Sequence, residues 1–375
     1  MIRHLLKLVW NRKQSNALLT LEIFFSFIVL FVVMTLAATM ITRYRRPLGF
    51  DCHDVWVAGI AFPSQPEAAQ RDKTWEVPHR ATFDRMLTEL RSLPEIDSAA
   101  AIGSPAYSPG TWESSGNYNG FRYAFTRDSV TDDYAKVMRI PVLAGRWFGP
   151  QDDAAQETPV VIDTDAAKQF GARGAVGQIV EYNSDRKYRI VGIIAPFRKS
   201  GEYSRDRVSM FFDRVSLRGT SGMMPHYIVI RVRPGVQAMF EQSLTRRLHA
   251  IAPDYTVRIV RLDSMRAYLN RTFLEPAIAA SIIAAFLVVM VFLGLSGVLW
   301  QNLTRRTREI GLRRAVGATG LSVYRQILLE VTLLSTLAVS VGVLLVAQLP
   351  IVGVFRLVTP LAFGIGLGSA LATIY

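Results

Sequence analysis

Four long apolar stretches constrain the fold of this 375-residue chain more than any other feature. They cover residues 17–41, 277–300, 331–349 and 357–375, and the only charged residue within them is Glu22. A helix needs about 20 apolar residues to cross about 30 Å of hydrocarbon. We therefore expect an α-helical integral membrane protein with four transmembrane helices. One span precedes, and three follow, a long segment of mixed composition.

The distribution of lysine and arginine predicts how these helices are oriented. Basic residues are concentrated in residues 1–13 and in the loop between the second and third spans. Cytoplasmic loops are enriched in lysine and arginine, so both segments are expected in the cytoplasm. The cluster Arg43, Arg45 and Arg46 argues the other way, but long domains cross the membrane largely regardless of charge. The long segment is then expected outside, in the periplasm.

Two similar patterns lie at the ends of the outer segment. Each predicts strand, helix and strand, with the helices over Pro78–Ser92 and Val236–Ile251. Phe83 and Leu87 of the first helix correspond to Phe240 and Leu244 of the second. Short alternating runs between the two patterns predict further strands. The predicted fold is thus a large α+β periplasmic domain with two βαβ-like halves and an inserted, mostly β subdomain.

These patterns give a complete set of boundaries. An amphipathic interfacial helix is predicted over 1–16 and the periplasmic domain over 43–274, with its halves at about 50–130 and 222–270 and the insert at about 131–221. Spans are predicted over 17–42, 275–300, 327–349 and 357–375. A cytoplasmic segment lies over 301–326. No basic tail follows Tyr375, so the last span is expected to be short or cut off.

The residue types and their spacing do not predict an enzyme active site or a metal site. Cys52 is the only cysteine, which suits a bacterial periplasmic domain without an intramolecular disulfide. The run from Asp51 to Asp54 offers ligand types, but neighbours in an extended chain point to opposite faces, so we expect no metal site. No catalytic set or cofactor site is predicted. The chain has 43 basic and 30 acidic residues, and the surplus clusters at the ends of the spans. Membrane topology and binding of anionic lipid therefore explain the positive charge better than binding of nucleic acid does.

The cytoplasmic segment carries the most specific pattern. On a helix, Leu312, Ala315, Val316 and Thr319 share one narrow face, and Glu309 precedes Arg313 by four residues, the favourable order for an ion pair. Its glycines each cost up to about 1 kcal/mol relative to alanine in a helix. They suit close packing of another backbone, or a helix that ends at Gly317 or Gly320. Charge alone explains the arginines and leaves the glycines unexplained.

The run Arg308–Thr319 resembles the signature of the FtsX-like permease family, and its wording is closest to the MacB branch. The outer segment is similar to MacB-type periplasmic core domains. This likeness rests on Gly145-Arg146-Trp147-Phe148 with Asp152, and on the runs 159–162, 174–178 and 188–194. The resemblance covers nearly the whole chain.

The resemblance implies a non-enzymatic, dimeric permease of an ABC transporter in the bacterial inner membrane. A cytoplasmic ATPase, with ATP and magnesium bound to it, would dock on the segment after the second span and drive movement of the periplasmic domain for export. The positions that match this ATPase-coupling segment are Arg308, Glu309, Ile310, Gly311, Leu312, Arg313, Arg314, Ala315, Val316, Gly317 and Ala318. The second permease chain is the same or a related one, and a periplasmic adaptor is a further candidate partner. MacB itself carries its ATPase on the same chain, and this sequence has no Gly-x-x-x-x-Gly-Lys-[Ser/Thr] run, so the ATPase is expected in trans.

Two other functions fit the same residues. One is an FtsX-like regulator in which an ATPase-driven movement activates a periplasmic enzyme. The other is a membrane-anchored receptor whose basic loop binds lipid headgroups and no ATPase. Substitution of Glu309 and Leu312 separates the first two functions from the third, because loss of arginines would matter more to a lipid-binding loop.

Overall fold

The computed structural model describes residues 13–63, 73–108, 113–118, 121–183, 186–203, 209–217, 223–237, 239–305, 307–317, 319–348 and 359–375. The chain divides into two compact units. One unit is Arg46–Thr272, which we call the outer domain, and the other, the helical unit, combines the chain on either side of it.

Helices and strands follow one another along the described part of the chain. The helices are α1 (Lys13–Tyr44), α2 (Lys73–Ser92), α3 (Tyr134–Met138), α4 (Thr164–Gln169), α5 (Met239–Ile251), α6 (Leu262–Arg305), α7 (Thr307–Ala315), α8 (Gly320–Gln348) and α9 (Pro360–Ile374). The strands are β1 (Val55–Ala61), β2 (Ile96–Ile102), β3 (Glu113–Tyr118), β4 (Phe121–Val130), β5 (Val142–Gly145), β6 (Thr158–Asp163), β7 (Ile179–Asn183), β8 (Arg186–Ile194), β9 (Ser209–Arg214), β10 (Tyr227–Val232) and β11 (Thr256–Arg261).

Three helices in the described part of the chain are long and apolar enough to cross a membrane. They are Thr20–Tyr44 in α1, Leu262–Gly294 in α6 and Val331–Gln348 in α8. The apolar helix α9 has 15 residues, which is short for a span, so the fourth transmembrane helix stays a prediction. Most of the predicted interfacial helix, residues 1–12, lies outside the described residues.

Close packing around α1 defines the core of the helical unit. Phe27 and Phe31 of α1 are fully buried. A Cβ atom placed on Gly342 of α8 would collide with the Phe27 ring, and one on Gly366 of α9 would collide with Thr35. Glycine is therefore required where these two helices approach α1 most closely.

The two strand–helix–strand segments of the outer domain are interleaved. Their four strands form one antiparallel array in the order β11-β1-β10-β2, so each segment has a strand of the other between its own two. The two segments therefore share a single sheet. Helices α2 and α5 cover one face of the array, where Phe83, Leu87 and Leu244 are buried in a common core.

Six of the remaining strands form a closed barrel, and β5 pairs with β8 outside this ring. Its order is β4-β3-β7-β8-β6-β9, and the parallel pairing of β4 with β9 closes it around a core that includes Phe125 and Phe211. The predicted start of the insert at 131 is wrong, because β3 and β4, within residues 113–130, belong to the barrel. Strand β4 pairs with six residues of β3 and six of β9, whereas Ile102 and Val130 are the one residue pair that joins it to β2.

Candidate functional site

The short helix α7 lies between two helices that contain candidate spans, α6 and α8. At its start the Thr307 hydroxyl donates to the backbone oxygen of Thr304 at 2.6 Å. At its end the Val316 amide donates to the Leu312 oxygen at 3.1 Å, and Gly317 then adopts φ 98°. A left-handed residue after the last turn is a common helix stop, and glycine adopts it without steric cost. This agrees with the predicted helix end at Gly317.

The turn after Gly317 leads directly into the next helix. The Thr319 hydroxyl oxygen accepts a hydrogen bond from the Ser322 amide at 3.4 Å, and the Thr319 carbonyl accepts from the same amide at 3.1 Å. Threonine is a favoured residue at the start of a helix because its oxygen satisfies an amide that has no partner within the helix. The segment is thus a short helix with defined ends.

Apolar side chains of α7 are exposed on the predicted face. Leu312 is 69% exposed and Val316 at its end is 82% exposed, and Ala315 and Thr319 are exposed as well. No heavy atom lies within 4 Å of the position that a Cβ on Gly311 would occupy. Large apolar side chains that stay exposed together mark an interaction surface more often than a structural one.

The predicted coupling residues occupy the following places. Arg308 is exposed on α7, and Ile310 is half-buried. Glu309, Arg313 and Arg314 lie within α7, and the ion pair between Glu309 and Arg313 stays a prediction. Ala318 lies outside the described residues. The described side chains therefore present an exposed surface of apolar residues and Arg308, which suits docking of a partner.

The helix α6 extends from Leu262, in the outer domain, to Arg305 and contains Pro276. Leu262, at its start, is fully buried in the core of the outer domain, together with residues of β1 and β10. The helix continues through its candidate span and ends at Arg305. The predicted span over 275–300 is therefore part of a longer helix, which connects the outer domain covalently to α7.

The Gly-Arg-x-Phe run of the outer domain has a structural role. The guanidinium of Arg146 donates two hydrogen bonds to the Asp152 carboxylate, at 2.6 and 2.7 Å, and Asp152 also accepts from the Gly149 amide at 3.0 Å. These hydrogen bonds and the charge of Arg146 hold the pKa of Asp152 below its ordinary value against the effect of burial. Phe148 is buried in the core. The motif therefore fixes a turn and presents no reactive group.

The run from Asp51 to Asp54 also serves structure. The Asp51 carboxylate pairs with Arg139 at 2.9 Å and with the buried Arg231 at 3.5 Å, and Cys52 is 2% exposed. Within the described residues no group of three or more histidine, cysteine or acidic side chains is arranged to hold a metal ion.

Sequence reasoning missed a buried ion pair between the barrel and the loop after β8. The Lys199 ammonium lies 2.6 Å from the Asp128 carboxylate, and both side chains are at most 5% exposed. Burial raises the pKa of Asp128 to about 6, although the charge and hydrogen bond of Lys199 lower it. Strand β4 also contains Arg122 and Arg127, so nothing in its sequence marked Asp128 as a buried charge.

Two family models match the chain. Residues 18–247 match the MacB-like periplasmic core domain, and residues 281–374 match the FtsX-like permease C-terminal domain. Similar curated proteins include the macrolide export ATP-binding/permease protein MacB of Acinetobacter baylyi, 28% identical over 59% of this chain and 34% of that protein. The Escherichia coli K12 protein of the same description is 23% identical over 91% of this chain and 51% of that protein. The pyoverdine export ATP-binding/permease protein PvdT of Pseudomonas aeruginosa is 28% identical over 62% and 38%.

The chain therefore spans about a third to a half of the length of these relatives. Among solved structures, the periplasmic region of MacB from Actinobacillus actinomycetemcomitans is similar to 59% of this chain. That match covers 94% of the other chain, with a TM-score of 0.40 and 16% identity.

Apolar helices of membrane-spanning length and a large α/β domain between the first and second of them are typical of an integral membrane protein. More specifically, the chain belongs to the family of ABC transporter permeases with a MacB-like periplasmic core domain and an FtsX-like C-terminal domain. Its members are inner-membrane permeases with a periplasmic domain, and the apolar helices of this chain are compatible with that location.

Proposed function

We propose that this chain is the permease subunit of an ABC transporter that converts ATP hydrolysis by a separate subunit into movement of its outer domain, for export of a periplasmic substrate. The observation that carries the proposal is the exposed face of α7 between two candidate spans. Leu312 and Val316 expose more than two thirds of their surface there. An exposed helix surface with apolar side chains suits a groove on a partner protein.

The continuous helix α6 supplies a route for the movement. A helix resists compression along its axis. The helix α6 ends at Arg305, and α7 begins at Thr307. Its other end is held in the outer domain by Leu262 and by Arg266, whose guanidinium donates to the Glu202 carboxylate at 2.6 Å. In this proposal, a displacement of α7 on ATP binding reaches the outer domain along α6, which contains Pro276.

A second copy of this chain, or a related permease chain, is part of the proposed assembly. The apolar part of α6 is largely unburied within the chain, and Ile282, Phe286 and Phe292 are more than 60% exposed. In the membrane such a face is covered by lipid or by another helix. In a dimer with four spans from each chain, the two outer domains would be free to engage an adaptor or substrate.

The test is a pull-down of the full-length chain from native cells in mild detergent. We expect a P-loop ATPase to co-purify with the wild-type chain and to be lost from the double variant Glu309→Arg, Leu312→Asp. Loss of a hot-spot residue at an interface costs about 2 kcal/mol or more, roughly thirtyfold in affinity.

Leu143→Asp is the matched control. Leu143 is 59% exposed on β5 of the outer domain, so its replacement adds the same charge far from α7 along the chain. Equal recovery of an ATPase with Leu312→Asp and Leu143→Asp would contradict the coupling role of α7. If no ATPase is recovered but vesicles of anionic lipid retain the chain through its arginines, the receptor alternative replaces the transporter. A periplasmic enzyme activated in an ATP-dependent way would favour the regulator instead.

A further inference from the structure

A cleft of about 720 Å³ opens on the face of the outer-domain sheet opposite α2 and α5. It lies over β11, β1 and β10 and is bordered by the first turns of α6. A volume of this size is typical of sites for small organic ligands. Every residue that lines it belongs to the outer domain.

The strand register explains why a cleft forms at this place. Val57 and Gly59 of β1 face the same side as their partners Val260 and Arg258 of β11, because paired residues of neighbouring strands share a face. On the other side of β1, Gly59 pairs with Tyr227. Because Gly59 has no side chain, it leaves a depression in the sheet surface between Tyr227 and Arg258, which forms the floor of the cleft. The helix α3 packs on β2 and β10 and leaves this end of the face open.

Aromatic and apolar side chains form the walls. Tyr107 is buried, with its ring against Gly201, while Tyr268 of α6 is 72% exposed at the rim. Met265 of α6 lines the cleft and packs against the core. Tyr107 holds a left-handed backbone conformation, φ 60°, which is costly for a residue with a side chain. Rigid aromatic walls of this kind favour flat apolar groups.

The charge of the cleft is one-sided. Arg258 is exposed on the cleft face of β11, and among the described residues it forms no ion pair. The described lining holds no carboxylate. An unpaired guanidinium beside an apolar cavity favours a carboxylate or sulfonate, to which it donates two parallel hydrogen bonds.

We propose that this cleft binds a small amphipathic anion, with an aromatic or apolar body on the floor at Gly59 and an acidic group at Arg258. The site is independent of the ATPase coupling proposed above, since it rests on the outer domain alone. Because α6 forms one wall, an occupant of the cleft contacts the helix that leads to α7.

The test uses the full-length chain in nanodiscs of zwitterionic phosphatidylcholine, with 4-benzoylbenzoate as a photoreactive probe. After irradiation, labelled peptides are mapped by mass spectrometry. Benzophenones react readily with methionine, and the chain offers an internal control. Met239 is 77% exposed on α5, away from the cleft, whereas Met265 is half-buried within it. We expect Met265 to be labelled more strongly than Met239, the reverse of their exposure.

Two variants probe the two halves of the site. Gly59→Val fills the floor, and its Cβ has room, since the nearest atom lies 3.4 Å away on the Tyr227 ring. We expect this variant to lose the labelling of Met265. Arg258→Gln should lower labelling by the carboxylate probe about tenfold, the usual effect of a lost charge-assisted hydrogen bond, and should leave labelling by the uncharged 4-benzoylbenzamide unchanged. Arg233→Gln, at an exposed arginine outside the cleft, is the matched control.

Labelling of Met265 that does not exceed that of Met239 would show that the cleft binds no such ligand. Equal effects of Arg258→Gln and Arg233→Gln would overturn the assignment of the acidic group. Tryptophan fluorescence during thermal unfolding verifies that each variant is folded, and Arg258→Gln tests the site even if Gly59→Val fails to fold. Loss of ATPase binding affects none of these readouts, so failure of the two proposals can be told apart.

Discussion

The outer domain and α7 differ in whether their side chains contact other residues of the same chain. In the outer domain the buried Arg231 donates to the carbonyl oxygens of Val137, His53 and Asp51, at 2.6, 2.8 and 2.9 Å. In α7 the apolar side chain of Leu312 remains largely exposed. The buried Arg231 thus finds its partners within the outer domain, whereas the exposed face of α7 presents apolar surface for another molecule. Substitutions in the core of the outer domain should change stability, and substitutions on the exposed face of α7 should change binding.

The largest expected effect is in the outer domain. Replacement of Arg231 by leucine leaves one buried and two part-buried carbonyl oxygens without their donor, which should cost about 3 kcal/mol of unfolding free energy. The measurement is urea unfolding of the full chain, followed by tryptophan fluorescence. The exposed Arg233, replaced by leucine, is the control and should change stability by less than about 0.5 kcal/mol. Reduced ATPase binding by folded Arg231→Leu would break the comparison.

A smaller and pH-dependent loss is expected for Lys199→Met. The pKa of Asp128 is raised from 3.8 to about 6 by burial. The folded carboxyl group therefore holds its proton more tightly than the unfolded chain does. Its contribution to stability is complete below about pH 4 and is lost as the pH rises through about 6.

Without Lys199 the ionised carboxylate loses its counter-charge, so the variant should be destabilised by about 3 kcal/mol near pH 8 and by less near pH 5, where protonation removes the need for a cation. Unfolding midpoints at the two pH values give the difference directly. A loss that is equal at both would contradict the role assigned to the buried pair.

A matched pair of glycines sharpens the comparison. Gly317 after α7 and Gly235 after β10 both adopt left-handed backbone conformations, φ 98° and 89°, and both have open space where a Cβ would lie. Alanine costs about 1–2 kcal/mol in this conformation. Gly317→Ala should weaken ATPase binding about tenfold and leave unfolding of the outer domain unchanged. Gly235→Ala should destabilise the outer domain and leave ATPase binding unchanged. If both variants changed binding and stability alike, the two glycines would not have separate roles.

The smallest effect is expected at the surface pair between α2 and α5. Arg247 lies 3.0 Å from Glu89, and both side chains are well exposed. Exposed ion pairs typically contribute about 0–1 kcal/mol. A double-mutant cycle of Glu89→Ala and Arg247→Ala should therefore give a coupling energy below about 1 kcal/mol. A larger value would mean that the surface of the outer domain holds its helices together as much as its core does.

The sequence predicted much of this architecture, because the spacing of apolar residues and the residue types in turns depend only on neighbouring residues. The repeat of Phe83 and Leu87 in Phe240 and Leu244 identified core positions of both helices, and Gly317 ends α7 as its position suggests. Pro78 misled the prediction of the start of α2, which begins at Lys73 and contains this proline.

Long-range pairing could not be predicted in the same way. The interleaving of β1 and β10, and the closure of the barrel by β4 and β9, depend on residues far apart in the sequence. The pair of Asp128 with Lys199 and the contacts of Arg231 are of the same kind. The cleft follows from the register that places Gly59 between Tyr227 and Arg258, which only the folded sheet defines.

The central claim is that α7 docks on an ATPase, and site-specific cross-linking in native membranes tests it most directly. The chain has one cysteine, Cys52, which is 2% exposed, so Leu312→Cys introduces a single accessible thiol for a photoreactive label. We expect a cross-link from this position to a P-loop ATPase and none from Leu143→Cys on the outer domain. Efficient labelling at position 312 without any cross-linked ATPase, or the same product from both positions, would contradict the account.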